Sequence, residues 1–185
     1  MAVFASGGGS NFQALLDRER QGDAAWETVL LLSDRASAGA LERAEEAGIA
    51  TAIVSFRLRE MEEIDAEIGA LLEEAEVEAI FLAGFLRLIP PGVVQRYRGR
   101  MLNIHPALLP AFGGNGMWGM NVHRAVLEAG ARVSGPTVHL VDERYDRGRI
   151  LAQWPVPVLA GDTPEALAAR VLAVEHRLYP RVAEH

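Results

Sequence analysis

Four short runs, three of them fully apolar and one interrupted by Thr51, alternate with segments of helical periodicity in the first half of the chain. Continuously apolar runs of this length are typical of parallel strands that are buried on both faces. The predicted strands are Met1–Ala5, Val29–Leu32, Ile49–Val54 and Ala79–Ala83. Three strand–helix units and a fourth strand predict an α/β fold with a doubly wound, mostly parallel, Rossmann-like sheet. Because 185 residues suffice for one such core, we expect a single domain over residues 1–185.

Composition excludes several classes of function. The formal net charge of −7 argues against binding to nucleic acid or to an anionic membrane. The absence of cysteine excludes disulfides, thiolate metal sites and cysteine nucleophiles. No apolar run approaches the roughly 20 residues of a membrane span, and no basic segment with a cleavage site opens the chain. We therefore expect a soluble, cytoplasmic protein.

The segment Met101–Pro110 carries two polar side chains with complementary chemistry. Asn103 and His105 alternate with apolar residues, so a strand places both on one face, about 7 Å apart. Pro106 has no N–H and ends the strand, at the sheet edge where open α/β folds bind ligands. An amide donates to a developing oxyanion, and histidine transfers protons near neutral pH. On local chemistry alone, a catalytic pair and an ordinary strand end remain alternatives.

A glycine-rich turn, Ser6–Asn11, follows the first predicted strand. Ser10 and Gln13 have the spacing of a capping box, which predicts a helix that begins at Ser10 and is capped by its side chain. Backbone N–H groups at a helix N-terminus bind phosphate, and we favour this function over a merely tight turn. The loop lacks the lysine of a Walker A motif.

The remaining segments carry weaker signals. Gly84–Ile89 is apolar except for Arg87, so it is either a core-packing helix or turn with a solvated arginine, or a slot for a flat heteroaromatic ligand. The glycine-rich segment Gly113–Gly119 predicts a mobile loop. The other predicted elements are a helix from His123 to Glu128, strands Ser134–Val141 and Ile150–Val158, and a helix that starts at Thr163–Glu165.

Four motifs together resemble one enzyme family. They are Gly-Gly-Gly-Ser-Asn at 7–11, Ala-Gly-Phe-Leu-Arg-Leu-Ile at 83–89, Asn-Ile-His-Pro-Ala-Leu-Leu-Pro at 103–110 and Asp-Arg-Gly-Arg-Ile at 146–150. In this order they resemble the phosphoribosylglycinamide formyltransferase family, the folate-dependent formyltransferases of purine biosynthesis. The Asn-to-Pro run is typical of formyl-folate enzymes in general, whereas the Gly-Ser-Asn loop narrows the resemblance to the glycinamide ribonucleotide branch. The resemblance covers nearly the whole chain and implies the formyltransferase type of α/β sheet.

The resemblance also implies roles for individual residues. It implies a catalytic trio of Asn103, His105 and Asp146. It implies that Gly9, Ser10 and Asn11 hold the phosphate of the nucleotide and that Glu175 contacts its ribose. It implies a folate site formed by Leu86, Arg87, Leu88 and Ile89, with further folate contacts from Asn103 and Arg59.

The implied reaction is formyl transfer from 10-formyltetrahydrofolate, a co-substrate, to the amine of glycinamide ribonucleotide. Asn103 is expected to donate to the oxyanion and His105 to move protons, while Asp146 raises the pKa of His105. No metal is required. We expect the protein to bind small molecules and to bind neither nucleic acid nor membranes. We expect the chain to be a monomer or a homodimer.

Two interpretations concern neighbours of this trio. Arg147 adds a cation beside Asp146, which is expected to lower the pKa of that carboxyl group. His123 and His139 are interpreted as loop and strand support, because neither is paired with another group at catalytic spacing.

Three competing functions remain. A formyltetrahydrofolate deformylase would carry an additional N-terminal regulatory domain, and a methionyl-tRNA formyltransferase would carry a basic C-terminal domain. We expect neither domain in this chain, and its acidity disfavours tRNA. The third alternative is a nucleotide-binding module without catalysis, which would use only the glycine loop.

Overall fold

The computed structural model describes residues 1–184. Contacts between residues divide the chain into two compact units, Met1–Leu102 and the part from Asn103 onward. The first unit contains β1 Ala2–Phe4, α1 Ser10–Glu19, β2 Leu30–Ser33, α2 Gly39–Glu46, β3 Ala50–Ile53, α3 Met61–Glu74, β4 Ile80–Leu82 and α4 Pro91–Arg96. Strand β5, Met101–His105, begins in the first unit and ends in the second. The second unit continues with α5 Met120–Glu128, β6 Val133–Ser134, β7 Thr137–Leu140, β8 Ile150–Gln153, β9 Val156–Pro157 and α6 Pro164–Ala183.

The first unit is a parallel sheet built from the apolar runs of the sequence. Its strand order is β3-β2-β1-β4, and Val3 lies opposite Leu31 on one side and Phe81 on the other. All residues of β1, β2 and β4 are buried, which explains why these strands have no polar alternation. Since the three strands run in the same direction, the residues that follow them emerge at the same edge of the sheet.

The second unit combines a sheet in the order β5-β7-β8 with a small two-stranded sheet, β6-β9. Strands β7 and β8 are antiparallel, and Thr137 lies opposite Gln153. Helices α5 and α6 contribute to an apolar cluster formed by Val126, Val156, Leu167 and Val171. Both units thus combine β-strands with helices, and the sheet of the first unit is entirely parallel. The predicted α/β fold class is therefore confirmed.

Two predicted strands are each divided in the structure. Ser134–Val141 was expected to be one strand, but Gly135 and Pro136 separate β6 from β7. Ile150–Val158 is likewise interrupted between β8 and β9. Gly135 has φ 136°, and a side chain there would collide with the carbonyl oxygen of Trp154. The two chain segments cross closely at this point, where the Trp154 N–H donates to the Pro136 carbonyl at 3.1 Å.

One predicted helix cap and one predicted helix start are wrong. Helix α1 begins at Ser10 as expected, but its N-cap is Gly9 in the left-handed conformation, without a side-chain hydrogen bond. The Gln13 side chain donates instead to Asp17, so no capping box forms. Helix α5 begins at Met120, three residues before His123.

The start of α6 is confirmed. The Thr163 hydroxyl accepts a hydrogen bond from the Ala166 N–H, and Pro164 occupies the first turn.

Gly9→Ala is expected to destabilise the protein more than Gly22→Ala. Both glycines have positive φ, 73° and 89°, which costs an alanine about 1–2 kcal/mol. A Cβ at Gly9 would also lie 2.8 Å from Cα and Cβ of Ala40, whereas nothing lies within 4 Å of a Cβ at Gly22. Urea unfolding should therefore show an additional loss of about 1 kcal/mol or more for Gly9→Ala. Equal losses for the two variants would contradict the close packing of α2 against the loop.

Candidate active site

The end of β5 places two of the predicted catalytic residues in the second unit. Asn103 is half-buried and His105 is only 4% exposed. The His105 Nε2–H donates to the carbonyl oxygen of Phe112 at 2.8 Å. The other ring nitrogen, Nδ1, lies 3.6 Å from Oδ2 of Asp146. The imidazole is therefore hydrogen-bonded at Nε2 to a backbone carbonyl, and its Nδ1 faces the carboxylate of Asp146.

The electrostatic balance at His105 differs from the sequence expectation. Burial is the largest contribution and lowers the pKa of His105 below its ordinary value of 6.5. Asp146 does raise this pKa, as predicted, and the Phe112 carbonyl acts in the same direction, whereas His139 lowers it. Because burial prevails, the net shift is downward, although the contribution of Asp146 has the predicted sign.

Asp146 lies in a strained turn that is tied to the glycine-rich loop. Its φ is 55°, and its Oδ2 accepts the Gly114 N–H at 2.8 Å. A side chain at Gly113 would place its Cβ 3.1 Å from Cβ of Asp146, so a glycine suits this close approach. Burial raises the pKa of Asp146, but the neighbouring His139, the charge of His105 and the hydrogen bond from the Gly114 N–H outweigh it, and the pKa is lowered. The predicted direction is therefore confirmed, but its causes do not include Arg147.

His139 links Asn103 to Asp146. Its Nδ1–H donates to the carbonyl oxygen of Leu140 at 2.8 Å, which leaves Nε2 as the acceptor in the neutral ring. This Nε2 lies 3.0 Å from the Asn103 amide nitrogen, which therefore donates to it, and 3.6 Å from Oδ1 of Asp146. The expectation that His139 supports the strand without a partner at catalytic spacing is therefore wrong about the partner. The sequence feature that could have indicated this link is the pair of polar residues Thr137 and His139 on one face of a buried strand.

His123 is a second buried histidine of this unit. It lies within α5 and its Nδ1 has no hydrogen-bond partner in residues 1–184. Burial and the charge of His105 both lower the pKa of His123, so the neutral ring is favoured. This setting is consistent with its interpretation as support.

The predicted phosphate loop lies in the first unit, between β1 and α1. The Gly7 carbonyl accepts the Ala40 N–H at 3.1 Å, and the Gly8 carbonyl accepts Nε–H of Arg43 at 2.7 Å. These contacts turn two loop carbonyls toward α2. The N-terminus of α1 begins directly after Gly9, which brings Ser10 and Asn11 into its first turn.

The predicted folate segment also lies in the first unit, where Gly84–Ile89 is neither helix nor strand. The helix alternative is therefore wrong. The Leu86 N–H donates to the Ser6 hydroxyl at 2.9 Å, and the Ser6 N–H donates to the Gly84 carbonyl at 3.1 Å. Leu88 is half-buried and Ile89 is buried.

Arg87 is not simply a solvated arginine. Its Nε–H donates to Oδ2 of Asp34 at 2.8 Å, and Arg35 donates to both oxygens of the same carboxylate. Burial raises the pKa of Asp34, but hydrogen bonds from Arg35, Ser6 and Arg87 lower it, and the net shift is downward. One fully buried carboxylate thus fixes two half-exposed arginines.

Two further residues with predicted substrate contacts are Arg59, which is ion-paired, and Glu175, which is buried. Arg59 pairs with Glu67 and, at 3.7 Å, with Glu63 on α3. Glu175 is buried on α6, with 6% of its surface exposed. Their predicted contacts with folate and ribose stay predictions.

The described residues contain neither a metal-binding cluster nor a membrane-spanning helix. Among residues 1–184, no group of three or more histidine, aspartate or glutamate side chains is arranged to hold a metal ion. No helix in the same part of the chain has the length and apolar character needed to cross a membrane.

The chain is similar to known formyltransferases in both sequence and structure. The chain is 49% identical over 184 residues to the chloroplastic phosphoribosylglycinamide formyltransferase of Arabidopsis thaliana, covering 98% of this chain and 63% of the relative. It is similar to the crystal structure of phosphoribosylglycinamide formyltransferase from Brucella melitensis, with 46% identity, a TM-score of 0.90 and coverage of 99% and 92%. It is also similar to glycinamide ribonucleotide transformylase 1 from Symbiobacterium toebii, with 40% identity, a TM-score of 0.92 and coverage of 99% and 84%.

The family assignment follows from the extent of these matches. The chain spans about three fifths of the length of the plant relative. The formyl transferase family profile matches residues 1–183, nearly the whole chain. The resemblance inferred from the four motifs is confirmed at this level. The chain belongs to the formyl transferase family.

Proposed function

We propose that this protein transfers the formyl group of 10-formyltetrahydrofolate to the amine of glycinamide ribonucleotide, as the names of its relatives suggest. The observation that carries the proposal is the cluster of Asn103, His105, His139 and Asp146 at the end of β5. An amide donor, a proton-transfer group and a carboxylate are the groups that acyl transfer to an amine requires. We propose that residues 1–185 act as one catalytic domain in this reaction.

The proposed reaction passes through a tetrahedral intermediate. The substrate amine attacks the formyl carbon, and the carbonyl oxygen becomes an oxyanion. The bond from the formyl carbon to N10 of the folate then breaks, and the proton lost by the amine is delivered to N10. No metal takes part in these steps, and 10-formyltetrahydrofolate is consumed as a co-substrate.

Asn103 is the proposed oxyanion donor. One N–H of its amide is used by His139, so the side-chain nitrogen is fixed and its second N–H remains for the substrate oxygen. A donor held before the reaction stabilises the developing charge without reorganisation, typically by about 3–4 kcal/mol. In this scheme His139 orients Asn103 and does not itself exchange a proton. Asn103 would also contact the formyl group of the bound folate.

His105 is the proposed proton-transfer group. Its Nε2–H is engaged by the Phe112 carbonyl, so Nδ1 is the nitrogen that gains and loses a proton. Asp146, which lies on the Nδ1 side, raises the pKa of His105 and favours the imidazolium. The imidazolium would deliver the proton to the leaving nitrogen and stabilise the oxyanion.

The first unit is proposed to bind the substrates. Gly9, Ser10 and Asn11 would hold the phosphate with backbone N–H groups at the start of α1, where the helix dipole favours an anion. The segment from Leu86 to Ile89 would receive the pteridine ring of the folate through its backbone and apolar side chains. In the second unit, Glu175 would contact the ribose. A folate contact by Arg59 would require Arg59 to leave Glu67.

The proposed function also includes the compartment, the oligomeric state and the partners of the protein. We propose a cytoplasmic protein that acts on small molecules, as a monomer or a homodimer, without nucleic acid or membrane partners. The net charge of −7 supports the exclusion of nucleic acid.

The test is a formyl-transfer assay that follows the absorbance of the folate product. Product that forms only when glycinamide ribonucleotide is present supports the transferase. Product that forms equally without the nucleotide would indicate a deformylase. Nucleotide binding without product would indicate a non-catalytic binding module, and either of these outcomes overturns the proposal.

His105→Ala is expected to lower kcat by roughly 10²–10⁴-fold, because it removes the proton-transfer group. The KM values for both substrates should change little, since the proposed binding residues are intact. Steady-state kinetics test the effect, and thermal unfolding together with calorimetric substrate binding verifies that the variant is folded. Turnover at the original rate would exclude His105 from the chemistry.

Asp146→Asn is expected to move the His105 titration to lower pH. The substitution removes the charge that raises the pKa of His105, while an amide oxygen can still accept the Gly114 N–H. The limb of the kcat–pH profile that reports His105 should shift downward, and kcat at neutral pH should fall, because less imidazolium is present.

Asp142→Asn in the same turn is the matched control. Asp142 accepts the Arg144 N–H and is not among the groups that shift the pKa of His105, so the profile of this variant should match that of the unmodified protein. A shift of the Asp146→Asn profile to higher pH would contradict the proposed role of Asp146.

A further inference from the structure

The segment from His105 to Phe112 forms a closed bracket in the second unit. The His105 ring at one end donates to the Phe112 carbonyl at the other end, at 2.8 Å. Between them, the Ala107 carbonyl and the backbone of Leu109 are bound by side chains of β7 and β8. The position of the imidazole therefore depends on a stretch of backbone that other elements hold in place.

Thr137 holds the middle of this bracket. Its hydroxyl donates to the Ala107 carbonyl at 2.6 Å and accepts the Leu109 N–H at 3.0 Å. Thr137 is completely buried, so water does not replace these bonds. A single hydroxyl thus fixes two backbone groups that lie two and four residues after His105.

Gln153 completes the arrangement from the neighbouring strand. It lies directly opposite Thr137 in the β7–β8 pair. Its Nε2 donates to the Leu109 carbonyl at 2.8 Å and to the Thr137 hydroxyl at 3.0 Å. Since Gln153 and Leu109 both donate to the hydroxyl oxygen, the hydroxyl hydrogen is directed to Ala107.

We propose that Gln153 is a positioning residue for proton transfer by His105, acting through Thr137 and the backbone of residues 107–109. This inference rests on the proposed function, because it assigns His105 a proton to move. Gln153 is not a catalytic residue, because in this arrangement it binds the bracket and not the substrates. Its two hydrogen bonds keep the Phe112 carbonyl at the distance that holds the His105 ring.

Loss of the Gln153 amide should loosen the bracket without removing any catalytic group. The Leu109 carbonyl would lose its side-chain donor, and the Thr137 hydroxyl would keep only its bonds to the backbone of Leu109 and Ala107. The bond from His105 to Phe112 would then lengthen. Small displacements of a reacting group reduce turnover strongly, so we expect kcat to fall roughly tenfold with little change in KM.

The experiment compares variants at the two ends of the hydrogen-bonded pair. Gln153→Leu removes both donors at similar size, and Thr137→Val removes the hydroxyl at similar shape. Thr137→Ser keeps the hydroxyl and should restore nearly full activity. Gln95→Leu, at an exposed position of α4, is the matched control for a glutamine-to-leucine change. The measurements are kcat, KM, thermal unfolding and the titration of the His105 ring by NMR without substrates.

Support would consist of a roughly tenfold loss of kcat in Gln153→Leu, an unchanged KM and a lower pKa of His105 in the NMR titration. The pKa should fall because the Phe112 carbonyl raises it in the intact bracket. A lower unfolding temperature with unchanged kcat and unchanged His105 titration would overturn the inference, since Gln153 would then be merely structural.

The design separates this inference from the proposed function. If the unmodified protein transfers no formyl group, the proposed function fails, but the NMR titration still reports whether Gln153 sets the environment of His105. An unshifted titration in Gln153→Leu then overturns the positioning role. If Thr137→Val does not fold, Gln153→Leu and Thr137→Ser still decide the question.

Discussion

A buried carboxylate is the constraint on which the second unit depends. Asp146 is 10% exposed and lies 3.6 Å from both His105 and His139. A charge in this position is tolerated only when hydrogen bonds and opposite charges compensate its lost hydration. That requirement explains the left-handed backbone of Asp146, the Gly114 N–H aimed at its oxygen and the glycine at position 113. The loop, the turn and two strands are thereby fixed around one negative charge.

The first unit contains a comparable arrangement. Asp34 follows β2, and its carboxylate accepts hydrogen bonds from Arg35 and Arg87. Through the Ser6 hydroxyl, the same cluster reaches the Leu86 N–H. The irregular segment after β4 is therefore not a loose loop, because its backbone and its arginine are both anchored to the ends of neighbouring strands. An irregular but fixed backbone can present N–H and carbonyl groups to a planar ligand.

The sequence predicted those features that depend on local pattern. Apolar runs identified β1, β2 and β4, because strands buried on both faces need no polar residues. The polar pair of β5 was found by its alternation. Contacts made by backbone groups escaped prediction, since any residue offers the carbonyl that Phe112 gives to His105. The capping box failed for a related reason. Gly9 adopts a left-handed conformation against Ala40, and this packing overrides the local preference of Ser10.

Opposing contributions at His105 give the site its chemical character. Burial alone would keep the ring neutral, and then it could accept a proton but would hold it poorly. Asp146 and the Phe112 carbonyl act against burial, so they bring the two protonation states closer in free energy. A group that must take a proton at one step and release it at the next works best when neither state is strongly preferred. The burial of His105 and the position of Asp146 therefore act together on the protonation equilibrium of the ring. A change in either one shifts this equilibrium toward the neutral imidazole or toward the imidazolium.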